Sequence, residues 1–249
     1  MNEITLLVWL ILGHVTTDFY LQPRKWFNDK NANNWRSLGQ ILHGLVHGLV
    51  ASLVLFLASE PSIKFLFGAF LAIWVTHYLF GLTKAYASSS WRRLAIGQLL
   101  HLTVLLKIWS LAVESSTIFA FVWNSTDWLK FGTLTIIYLL AFRPASLVIK
   151  QLLAPQIRQI NENENVESDA LMNGGRLIGY FERFIILTLI LLSQYAAVGF
   201  ILAAKSIFRF GDLQDSHSRK LTEYVLLGTL ISFAFVLSLG VIARWVLGM

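Results

Sequence analysis

The chain places six side chains that bind metals at spacings a helix can use. His14 and Asp18 are four apart, and so are His43 and His47 in the stretch Ile41-Leu42-His43-Gly44-Leu45-Val46-His47. Residues i and i+4 share one helix face, one turn apart. His77 and His101 complete the set. Lys84 lies two turns beyond His77, and Gln98 lies three residues before His101, on nearly the same face. Imidazole and carboxylate suit Zn²⁺, Mn²⁺ or Fe²⁺. His14, Asp18, His43, His47, His77 and His101 are therefore candidate ligands for one metal ion or two. A rival reading is that they are polar glue between packed helices. Gly44 and Gly48 form a small-xxx-small seam in the same segment. That seam points about 100° away from the histidines, so both roles fit on one helix.

The elements that must position these residues are apolar helices. Hydrophobic residues make up 56% of the 249, and charged residues only 14%, against about 25% in soluble domains. Runs of about 20 apolar residues span a bilayer. Seven stretches qualify: 4–20, 38–58, 63–83, 94–113, 129–149, 182–204 and 223–247. Arg143-Pro144 interrupts the fifth. The reading is an all-α polytopic transmembrane helical bundle of about seven spans. His14 and His77 sit six residues before the ends of spans 1 and 3, and His43 and His101 five and seven after the starts of spans 2 and 4. At 1.5 Å per residue, all four lie about 7–11 Å below one surface. Ionisable groups inside a membrane are costly and mark functional sites.

Positive charge sets orientation. Arg24, Lys25, Lys30 and Arg36 follow span 1, and Lys84, Arg92 and Arg93 follow span 3. The N-terminus is therefore expected outside, with loops 1 and 3 cytoplasmic. The C-terminal loops are both basic and conflict if 182–204 crosses once. The segment 114–128 separates a four-span His/Asp unit (1–113) from a three-span unit (114–249), and 161–175 reads as a polar linker. No internal repeat is read from the sequence. The first span has no Lys or Arg before it and no cleavage pattern, so it is expected to be retained. No cysteine is present, which excludes disulfides and thiolate metal sites. The net charge of +6 fits loops facing anionic lipid. No nucleic-acid motif accompanies it, and nucleic acid is not expected as a partner.

The stretches LILGHVTTDFYLQPRKW (10–26), ILHGLVHGLV (41–50), THYLFGLTKA (76–85) and GQLLHL (97–102) resemble a family of bacterial membrane proteins known as a domain of unknown function. The resemblance covers about residues 5–110. It rests on His14, Asp18, Gln22, His43, His47, His77, Lys84, Gln98 and His101. The family's His/Asp pattern is similar to that of membrane-embedded metal-dependent hydrolases of the bacterial inner membrane. The resemblance implies carboxylates at 81 and 97, where this chain has Gly81 and Gly97. Either the site keeps only Asp18 and favours a single ion, or the glycines are packing residues.

Near the C-terminal end of span 6, Lys205 and Arg209 are four apart and are candidates to grip a phosphate or lipid headgroup, or to anchor at the interface. The leading expectation is a metal-dependent hydrolase of a lipid-linked or membrane-delivered ester, using zinc or manganese, with Lys84 and Gln98 steadying developing negative charge. An ion or small-solute transporter and a non-catalytic, metal-stabilised sensor or anchor are the alternatives. The lipid bilayer is the expected partner, with a lipid or phosphate-bearing substrate, and the chain can oligomerise.

Overall fold

A computed structural model describes residues 2–59, 61–85, 91–115, 126–156, 168–208 and 219–249. Among them the chain is helical and contains no strand. The helices are α1 (Asn2–Phe19), α2 (Arg24–Asn33), α3 (Leu38–Ser59), α4 (Ile63–Ala85), α5 (Trp91–Ser115), α6 (Thr126–Ala141), α7 (Arg143–Leu152), α8 (Ser168–Leu191), α9 (Tyr195–Phe208) and α10 (Arg219–Leu247). The chain divides into two compact units, Met1–Ile136 and Ile137–Met249.

Five stretches are long and apolar enough to cross a membrane: Leu38–Ala58, Ile63–Leu82, Trp91–Glu114, Trp128–Leu152 and Glu223–Leu247. A sixth is counted only if α1 and α2, bent by 76°, are taken as one span. The composition of α2 argues against that pairing. Four of its ten residues are charged (Arg24, Lys25, Asp29, Lys30), and each would cost about 2.5–3.5 kcal/mol at a bilayer centre. The 18 residues of α1 rise about 27 Å, and α2 turns away from them at the 76° bend.

The sixth expected span, 182–204, is broken. Gln194 N–H donates to Leu189 O (2.8 Å) and Ser193 N–H to Ile190 O (3.0 Å). These bonds close the C-terminus of α8 around Ser193 at φ 61°. The shorter helix α9 then follows. Helix α8 starts at Ser168, inside the tract read as a linker. Residues 157–167 lie outside the described residues, as do 116–125 between the expected units.

In the first unit the long helices form a ring in the order α1, α3, α4, α5, with α1 opposite α4 and α3 opposite α5. Leu6, Leu10, Ala51, Leu55, Ile73, Leu105 and Ile108 belong to one apolar core. The core residues of α1 and α4 precede His14 and His77, while those of α3 and α5 follow His43 and His101. Apolar core and histidines therefore form separate layers. The α3–α4 contact is close: a Cβ on Gly44 would lie 2.9 Å from Trp74 O, and one on Gly48 would lie 3.0 Å from Phe70 O. The glycine seam thus packs α4, while His43 and His47 face the ring's interior.

In the second unit, α8 and α10 pack closely. A Cβ on Gly240 would stand 2.5 Å from Ile190 Cγ2. Each helix break here is met by an arginine. Arg183, on α8, donates to Ala141 O at the end of α6. It also bonds the Ser146 and Ser232 hydroxyls (2.7 and 3.1 Å). Arg244, on α10, donates to Leu191 O (3.2 Å) and Ser193 Oγ (2.6 Å) at the end of α8.

Candidate metal centre

Asp29 sets the start of the helix that carries two of the histidines. Its Oδ2 accepts from Ser37 Oγ (2.6 Å) and Gly39 N–H (2.7 Å), and its Oδ1 accepts from Asn33 (2.6 Å). Ser37 Oγ in turn accepts Gln40 N–H (3.0 Å). A carboxylate and a hydroxyl thus cap α3, where helix N–H groups lack partners. One turn on, Gln40 Nε2 donates to the carbonyls of His77 (2.9 Å) and Tyr78 (3.1 Å), fixing α3 against α4.

The five imidazoles then meet. His14, His43, His47, His77 and His101 are 8%, 5%, 3%, 2% and 3% exposed. Two groups bring three ligand atoms within 4.8 Å of one another: His14, His47 and His77, and Asp18, His43 and His47. His47 belongs to both. His101 is in neither. It stacks on His77 with ring centroids 4.0 Å apart and meets Phe80 edge-on at 5.3 Å.

The hydrogen bonds assign the tautomers. Gln98 Nε2 donates to Asp18 Oδ2 (2.6 Å), since a carboxylate only accepts. The amide oxygen of Gln98 therefore faces His14 Nε2 (3.1 Å), which must carry the proton. That leaves a lone pair on His14 Nδ1. His77 Nδ1 lies 2.9 Å from Ile73 O, so it also carries the proton and leaves a lone pair on Nε2. These two lone pairs face each other across 3.4 Å. Two ligands bound to one ion at about 2.0–2.1 Å and a tetrahedral angle are about 3.3–3.4 Å apart. His47 Nε2 is buried with no hydrogen bond, and lies 3.8 Å from Asp18 Oδ1, too far for one. His43 Nε2 lies 3.2 Å from Asp18 Oδ1 and donates to it. The buried His/Asp groups are positioned to hold a metal ion.

The other sequence candidates fall differently. The Gln98 amide is committed at both ends, to Asp18 and to His14. Lys84 is in the last turn of α4, and its side chain lies outside the described part of the structure, as does Arg209. Lys205 has a carboxylate partner, Glu182, which competes with any headgroup for that ammonium. The space beside Gly81 is full, since an added Cβ would lie 1.6 Å from Gln40 Nε2. The face at Gly81 is thus not empty: the Gln40 amide occupies it.

Gln40 and Asp29 are the residues that sequence reasoning missed. A signal for Gln40 was available. Gly39-Gln40-Ile41-Leu42-His43 has the same form as Gly97-Gln98-Leu99-Leu100-His101, and both glutamines fix a neighbouring helix. No curated protein and no solved structure matches the chain. The family described as "Protein of unknown function (DUF3307)" matches residues 6–130, half of the 249 and all of the histidine layer; the chain belongs to that family.

Proposed function

We propose that this protein is a metal-dependent hydrolase of the bacterial inner membrane, holding one zinc or manganese ion at His14, His47 and His77 and acting on a lipid-linked or membrane-delivered ester, a phosphoester in the first instance. The observation that carries the reading is the pair of lone pairs on His14 Nδ1 and His77 Nε2, facing each other at 3.4 Å, with a third buried nitrogen from His47 beside them. A proton could satisfy one pair of nitrogens; three convergent nitrogens are what a cation uses. Three protein ligands with a position left over is the pattern of catalytic metal sites, whereas structural sites close with four. A divalent ion bound there supplies an acidified water for attack on an ester.

The chain's own residues prepare the site. Gln98 and the Ile73 carbonyl fix the two imidazoles, and Asp18, through Gln98, supports His14 as carboxylates commonly support metal-bound histidines. Asp18 is also the one carboxylate among the six candidate ligands, which favours one divalent ion over two where unpaired charge is costly. The Lys and Arg residues of loops 1 and 3 support an N-terminus outside, with the histidine layer near the cytoplasmic face.

Metal analysis of the purified full-length protein, with turnover of a membrane-delivered phosphoester before and after chelation, tests this. One zinc or manganese per chain and turnover lost on chelation support it; a metal-free, folded protein after loading rejects it. The deep burial of all five imidazoles favours a second reading, a structural ion in a sensor or anchor. In that case chelation lowers the melting temperature and no turnover is found.

A further inference from the structure

Seven identical residues recur in order across the start of α3 and the start of α5. Trp35-Arg36-x-Leu38-Gly39-Gln40-x-Leu42-His43 matches Trp91-Arg92-x-Leu94-x-x-Gly97-Gln98-x-Leu100-His101. Each follows a helix with an inward histidine, His14 or His77. The structure gives several residues of the two stretches matching surroundings. The arginine of each stands over its preceding tryptophan, 4.6 Å from the ring centre at Arg36 and 5.6 Å at Arg92. Gly39 and Gly97 are both buried, as are His43 and His101.

The cross-contacts also exchange. A half-turn of the ring swaps α1 with α4 and α3 with α5. It carries Asp18 onto Gly81, and Gln98 onto Gln40. Gln98 reaches from α5 to Asp18 on α1. Gln40 reaches from α3 to α4 and fills the space where a side chain at 81 would be. His14 and His77 exchange with each other, and they are the pair that touch at the centre. Repeats with an even number of crossings keep the same orientation, related by an axis along the membrane normal.

Among the candidate ligands the symmetry fails at two. His47, four after His43, corresponds to Leu105, four after His101, which is buried in the core. Asp18 corresponds to Gly81. We propose that α1–α3 and α4–α5 are two copies of one helix hairpin about a local two-fold axis between His14 and His77, and that the second copy carries a latent metal station, closed by Leu105 and by Gln40 over Gly81. This rests on the metal reading of the histidine layer. It explains why the ion belongs on the α3 side: His47 brings a ligand atom within 4.8 Å of the central pair, whereas His101 of the other copy, stacked on His77, joins no such group among the described residues.

Transplanting ligands across the axis tests the proposal. Zinc retained by the full-length protein after gel filtration is the readout, with manganese loading in parallel. His47→Leu gives the first copy the residue of the second, and zinc retention falls at least tenfold. Adding Leu105→His to that variant supplies the equivalent nitrogen from the other side and restores at least half of the zinc. A second pair is independent of the first. Asp18→Gly weakens retention, and adding Gly81→Asp with Gln40→Ala recovers it. Recovery in either pair supports the proposal. If the wild type holds zinc and neither transplant recovers it, folded or not, the two-fold relation is overturned while the metal reading stands. A wild type that holds neither metal overturns both.

Discussion

The proton on His14 is placed by a residue outside the proposed ligand set. Because Gln98 gives its N–H to Asp18, its oxygen demands a proton from His14 Nε2, and Nδ1 is left to bind. Gln98→Leu removes that constraint. Metal affinity is expected to fall about 10–100-fold, as when partners behind a metal-bound histidine are lost. A competition titration against a chelator measures this, with unchanged far-ultraviolet circular dichroism as the control for folding. Gly81 is a second residue whose role is set by a neighbour. Gly81→Ala drives its methyl into Gln40 and displaces that amide from the carbonyls of His77 and Tyr78. A loss of about 1–3 kcal/mol is expected, the usual cost of overpacking. In the Gln40→Ala background the same change should cost clearly less, since residues in contact are not additive. Equal cost in both backgrounds would dismiss the steric account.

At the scale of elements, α3 is held from outside by a charge. The hydrogen bonds from Ser37, Gly39 and Asn33 hold the Asp29 carboxyl below the usual aspartate range. A carboxyl whose folded pKa is depressed contributes fully above its unfolded value, about 3.9, and the contribution is lost as pH falls through the folded value. Acidification from pH 5 to pH 3 should therefore loosen the α2–α3 junction, and Asp29→Asn should flatten that part of the melting-temperature profile. A variant profile parallel to that of the wild type would show that other carboxylates carry the acid sensitivity. In the second unit the break between α8 and α9 relies on Arg244. Arg244→Met leaves the last carbonyls of α8 without this donor, at a cost of about 1–3 kcal/mol. Faster amide exchange confined to 189–195 would locate the effect.

For the whole molecule, two hairpins of the same orientation place both of their internal connections on one side. The absence of cysteine allows single-cysteine labelling without background. Asn28→Cys and Ser89→Cys should both be protected from an impermeant thiol reagent added on the periplasmic side of intact cells. Labelling of both would reverse the orientation and leave the hairpin pairing intact. Labelling of one alone would break the pairing. In the C-terminal half, the turn at Ser193 divides the stretch 182–204 that was read as one span.

The fold class and the layer of histidines were legible in the amino-acid sequence because each depends on short-range periodicity. Apolar runs set helices, and the distance of each histidine from a run's end set its depth. The i, i+4 spacing also separated the glycine face of α3 from its imidazole face. The span count was not legible where a helix breaks, because Leu192, Ser193 and Gln194 sit in an apolar stretch and only a positive φ with an external arginine reveals the turn. Nor could spacing show which ring nitrogen binds. That depends on Gln98 meeting Asp18 and His14 from 80 and 84 residues away. The sequence left two meanings for Gly81, a lost ligand or a packing site. Only tertiary structure shows what fills the space beside it, because those atoms belong to Gln40 on another helix.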